Sequence, residues 1–114
     1  MHADATVPAP LCRLSDIPDG GVLGLDPPDP DGEALVLLRR GDAVSAWINV
    51  CPHTGRRMDY APNLFLFKNG LLVCAVHGAS FALADNGLCV GGPCRGESLT
   101  AVPLRVANGM VWRD

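Results

Sequence analysis

Short apolar runs separated by turn signals fill most of this chain. Leu35-Val36-Leu37-Leu38-Arg39 leads into Arg40-Gly41-Asp42 and then Val44-Ser45-Ala46-Trp47-Ile48, a hairpin pattern. Leu64-Phe65-Leu66-Phe67 and Leu71-Leu72-Val73-Cys74 flank Lys68-Asn69-Gly70. Asn-Gly suits a type I′ turn, because both central residues need positive φ and the resulting twist matches that of the strands. Ser80-Phe81-Ala82-Leu83 and Leu88-Cys89-Val90 flank Asp85-Asn86-Gly87. Leu99 to Val106 and Met110 to Trp112 flank Asn108-Gly109. No window of ten or more residues carries a helical 3.6-residue period, and no internal repeat is visible. Asp26-Pro27-Pro28-Asp29-Pro30-Asp31-Gly32 reads as an extended loop, since each X-Pro step disfavours helix. The pattern predicts an all-β, antiparallel domain of short strands, a sandwich or partial barrel.

The 114 residues amount to one domain, spanning 1–114. A domain of that size buries roughly two-thirds of its unfolded surface and needs no disulfide to hold a core. Net charge is −3, with no basic stripe to neutralise phosphates, so nucleic acid is not expected as a partner. Residues 1–33 hold seven acids and one base, whereas the rest hold five acids and eight bases. No run reaches the ~18 apolar residues of a membrane span. Met1-His2-Ala3-Asp4 does not open a secretory leader, so a cytoplasmic location away from the membrane is expected. Five cysteines, an odd number, do not read as a disulfide framework in such a chain.

Two stretches carry chemistry: Cys51-Pro52-His53-Thr54-Gly55 and Cys74-Ala75-Val76-His77-Gly78. Each follows an apolar run and sets one thiol and one imidazole within a few positions. Residues 54–73 lie between them, enough for a hairpin that returns one loop to the other. A Cys2His2 set suits tetrahedral zinc or an iron–sulfur centre. Zinc modules usually place two cysteines first and two histidines later. The alternating order here suits a binuclear cluster, with both cysteines on one iron and both histidines on the other. Gly55 and Gly78 let the backbone bend closely around an inorganic core.

The pattern Cys-x-His, a gap, then Cys-x2-His-Gly resembles that of the Rieske iron–sulfur proteins. Gly92-Pro93-Cys94-x-Gly96-x2-Leu99 resembles the loop that covers the cluster in that family. Leu11 to Gly21 is similar to its opening strand and turn, and Ala101 to Trp112 to its closing hairpin. The resemblance implies one [2Fe–2S] cluster held by Cys51, His53, Cys74 and His77, within a cluster-binding part of about residues 50–96.

It also marks departures. High-potential members brace their loops with a disulfide, at positions that here are Arg56 and Val76. They also carry serine and tyrosine donors to the cluster, where this chain has Ala79 and Phe81. Donors to sulfur stabilise the added electron, so their loss implies a potential near the low end of the Rieske range, roughly −150 mV. His53 and His77 are then expected to titrate at fairly high pH. Ser80 is expected to point away if the strand alternates.

Cys89 and Cys94 are five positions apart, and Cys94 reads as a small apolar filler rather than a disulfide partner. Cys12 reads as a buried thiol, Trp47, Trp112 and Phe81 as core, and His2 as a loose terminal residue. Arg56, Arg57 and Arg95 are either ordinary solvated arginines or a basic collar for an acidic redox partner. The function implied is a one-electron carrier with no catalytic site or small-molecule substrate. Its donor would be a flavin-containing reductase and its acceptor an oxygenase or other oxidoreductase. Alternatives are the small subunit of a nitrite-reductase-like complex and, from a different class, a structural zinc module for protein contacts.

Overall fold

A computed structural model of the chain describes residues 10–26, 32–50, 52, 58, 65–74, 79–83, 86–92 and 96–114. Among them lie eleven strands and almost no helix. β1 (Cys12–Arg13) is followed by a single 3₁₀ turn, Leu14–Asp16. Then come β2 (Val22–Leu25), β3 (Leu35–Arg40), β4 (Ala43–Ile48), β5 (Leu66–Lys68) and β6 (Leu71–Val73). The chain ends through β7 (Ser80–Ala82), β8 (Leu88–Gly91), β9 (Ala101–Val102), β10 (Leu104–Ala107) and β11 (Met110–Arg113). They form three antiparallel sheets, ordered β1-β11-β10, β2-β3-β4-β9 and β5-β6-β7-β8.

The β2-β3-β4-β9 sheet is buried on both faces, which explains the unbroken apolar run of β3. Leu35, Val36, Leu37 and Leu38 are all buried. Alternation sends Val36 and Leu38 to one core and Leu35 and Leu37 to the other. The first core joins them to Trp47, Met58, Leu72, Cys74, Phe81 and Leu83, beneath the β5–β8 sheet. The second joins Ile17, Ala46, Val102 and Val111, beneath the β1-β11-β10 sheet. The all-β expectation therefore takes the form of three stacked sheets rather than two.

The four hairpins stand where the turn signals put them, with registers Leu37↔Ala46, Phe67↔Leu72, Phe81↔Cys89 and Val106↔Val111. Asn69, Asn86 and Asn108 all take positive φ before their glycines. Gly87 is required on two counts. Its φ is +79°, and a Cβ there would lie 3.0 Å from Trp47 Nε1 and from Leu99 Cβ. Two expectations are refined. The run from Leu99 to Val106 is not one strand but two, broken at Pro103, which has no N–H to give a ladder. β9 pairs with β4, while β10 pairs with β11 in another sheet. The stretch from Leu11 to Gly21 holds only the two residues of β1, the 3₁₀ turn and a bend, and the larger early strand is β2, paired with β3.

Candidate metal centre

The loop after β6 is fixed at its base. Cys74 is fully buried, and its N–H donates to the Ala79 carbonyl at 2.7 Å. That bond joins the described residues on either side of 75–78. His77 itself lies outside the described residues.

The loop after β4 is closed by a side chain. Asn49 is 1% exposed, and its backbone N–H donates to the Ala34 carbonyl at 2.8 Å. Its Oδ1 accepts the Met58 N–H at 2.8 Å, across nine residues. The Asn49 side chain thereby ties residue 49 to residue 58. Cys51, His53, Arg56 and Arg57 lie outside the described residues. Asn49 escaped the sequence reading. A lone asparagine at the end of an apolar strand carries no signal of an N–H nine residues ahead.

A third loop is pinched in the same way. Cys89 N–H donates to the Glu97 carbonyl at 2.7 Å, and Gly96 N–H donates to the Cys89 carbonyl at 3.1 Å. Between them runs the segment identified as a covering loop, of which Cys94 and Arg95 lie outside the described residues. The Cys89 thiol is buried and donates to the Gly91 carbonyl at 3.2 Å.

These loop bases meet in one place. Met58, Cys74, Ala79 and Cys89 all belong to the core beneath the β5–β8 sheet. Of the four expected ligands, the structure describes Cys74 alone and seats it in that core. Two thiols and two imidazoles are a donor chemistry that fits a [2Fe–2S] cluster, and the one described thiol, Cys74, sits in an apolar core.

Ala79 and Phe81 are fully buried in the same core. The positions where hydroxyl donors were sought are thus inward-facing and apolar. Ser80 lies between them and pairs with Val73 and Gly91, so alternation turns it to the other face of the sheet. Trp47 is core as well, whereas Trp112 is half-buried under the Arg105 guanidinium, 5.5 Å from its ring centre. Cys12 is half-buried rather than buried. Desolvation and the nearby Asp16 carboxylate raise its thiol pKa, so it stays protonated at neutral pH.

The end of the β5–β8 sheet next to Cys74 is apolar on its outer side. Leu66 pairs with Val73, the residue before Cys74, and Val73 pairs with Ser80. Leu66 is 46% exposed, Val50 42% and Val90 40%, and Pro52 is exposed too. Val90 is the extra residue of a bulge opposite Ser80 and Phe81.

Among solved structures the chain is similar to a ferredoxin of Sphingomonas yanoikuyae B1, at 21% identity and a TM-score of 0.73, over 95% of this chain and 98% of that one. It is similar to the ferredoxin of carbazole 1,9a-dioxygenase from Nocardioides aromaticivorans IC177, at 22% identity and a TM-score of 0.71, over 95% and 97%. It also matches a complex of reduced oxygenase and oxidised ferredoxin in carbazole 1,9a-dioxygenase, at 21% identity and a TM-score of 0.70, over 92% and 90%. At these identities the likeness is one of fold. No curated protein matches the chain. The sequence model of the Rieske [2Fe-2S] domain matches residues 8–106, and the chain therefore belongs to the Rieske [2Fe-2S] family, whose domains bind a two-iron, two-sulfur cluster.

Proposed function

We propose that the chain acts as one domain and carries single electrons in the cytoplasm, with Cys51, His53, Cys74 and His77 holding the cluster. The observation that carries the site is Cys74, fully buried at the end of β6 in a loop closed by its own N–H. When bound, the cluster supplies one reversible electron. The chain's part is to hold its ligands, exclude water and present one edge to partners. Ala79 and Phe81 offer no hydroxyl, so the potential lies near the low end of the family's range, roughly −150 mV.

The acceptor is a terminal oxygenase and the donor a flavin-containing reductase. Support for the acceptor is the fold shared over nearly the whole chain with ferredoxins, one of them the ferredoxin of carbazole 1,9a-dioxygenase. The exposed Val50, Leu66 and Val90 suit docking, since apolar side chains gathered near a redox centre shorten the path to a partner.

Rapid mixing of the reduced protein with an excess of oxidised ring-hydroxylating oxygenase tests this. Reoxidation at a rate that saturates with oxygenase is expected. Leu66→Glu should raise the half-saturating concentration about tenfold, or about 1.4 kcal/mol, at an unchanged potential. Reoxidation no faster than in buffer would contradict the carrier reading.

A further inference from the structure

A second site lies at the other end of β6. Between the β2-β3-β4-β9 sheet and the β5–β6 hairpin is a cleft of about 450 Å³, half open to solvent. Leu38, Phe67 and Leu83 line it, with Gly70 at the hairpin turn and Arg40 and Lys68 among its walls. Gly70 is separated from Cys74 by the three residues of β6, on the order of 13 Å of extended chain.

The two arginines that end β3 have different fates. Alternation sends Arg39 to the side of Leu35 and Leu37. There its Nε donates to the Gly41 carbonyl at 2.7 Å, and one terminal nitrogen reaches the Leu14 and Ile17 carbonyls at 3.4 and 3.1 Å. Arg39 is a structural clasp. Arg40 continues the row of Val36 and Leu38 toward the β5–β8 sheet. Among the described residues, neither Arg40 nor Lys68 is joined to an acid, and no acidic residue lines the cavity. The nearby Asp19 carboxylate is engaged, accepting the Gly41 N–H at 2.8 Å.

Backbone bonds fix residues on both sides of the cleft. Leu83 N–H donates to the Gly70 carbonyl at 3.3 Å, and Gly20 N–H to the Arg39 carbonyl at 2.9 Å. Both sides of the opening are therefore tied in place.

We propose that this cavity binds an organic carboxylate with an apolar, aromatic-sized body. The volume falls in the range of small-molecule sites, and an apolar floor with few placed charges is their usual make-up. Half-buried Phe67 takes the body, with the edges of the buried Leu38 and Leu83 beneath it. Arg40 and Lys68 take the carboxylate, the guanidinium by a two-pronged hydrogen bond. The site is distinct from the cluster loops and does not depend on the carrier reading.

Titration of the cluster-loaded protein with 2-naphthoate, by calorimetry and by nitrogen-15 NMR, tests it. Saturable shifts of the Gly20, Asn69 and Gly70 amides are expected. Uncharged 2-naphthylmethanol and inorganic phosphate should each bind at least tenfold more weakly. Arg40→Gln with Lys68→Gln should weaken naphthoate at least tenfold, and both positions are exposed, so the fold is kept. Equal binding of the alcohol, equal binding of phosphate, or an unchanged affinity in the double variant would each overturn the proposal.

Discussion

Phe81 and Ala79 bring no hydroxyl to the core beside the proposed site. Both are fully buried in the core that contains Cys74, and neither can donate a hydrogen bond. An added electron puts negative charge beside apolar side chains, which disfavours reduction. Phe81→Tyr is therefore expected to raise the potential. A hydrogen bond that strengthens by about 1 kcal/mol on reduction corresponds to about 40 mV for one electron. Voltammetry on the variant checks this, and an unchanged potential with an intact cluster spectrum would contradict it. The outward turn of Ser80 was legible in the sequence, because it follows from alternation once Phe81 is taken as core. Asn49 was not, since nothing in a single asparagine reveals an N–H nine residues ahead that needs a buried acceptor.

Among the elements, the Cys74–Ala79, Asn49–Met58 and Cys89–Glu97 bonds tie the described residues that flank the proposed site. Two of these are main-chain bonds that follow from hairpin geometry. The Asn49 bond depends on one side chain, so it is where the construction is most vulnerable. Asn49→Ala leaves the buried Met58 N–H without its acceptor, at a cost of about 1–3 kcal/mol. A lower denaturation midpoint and faster loss of the cluster's visible absorption on warming are expected. A wild-type midpoint would mean that Asn49 does not close the loop. The hairpins themselves were legible, because Asn-Gly turns and flanking apolar runs are local signals. β2 was not. Val22-Leu23-Gly24-Leu25 is short and glycine-interrupted, and it is a strand because β3 offers it an edge. The division of Leu99–Val106 between two sheets was foreshadowed only by Pro103.

The whole molecule is a stack of three sheets in which the middle one is a shared wall. One core stabilises the β1-β11-β10 side, and the other carries the loop bases. The two arginines ending β3 extend this division, Arg39 clasping one side and Arg40 facing a cavity on the other. Sequence patterns located the strands but not the stacking, because which face of a doubly buried strand meets which sheet is settled by long-range packing. Among the described residues no helix is long and apolar enough to cross a membrane. Whether Cys51, His53, Cys74 and His77 together hold one Rieske cluster is decided by an electron paramagnetic resonance spectrum of the dithionite-reduced protein, with iron and zinc counted on the same anaerobic sample. Two irons per chain are expected, with a rhombic signal whose average g lies well below that of an all-cysteine cluster and which is lost when His53 or His77 is replaced by cysteine. Zinc without such a signal, or a signal unchanged by those replacements, would contradict that ligand set.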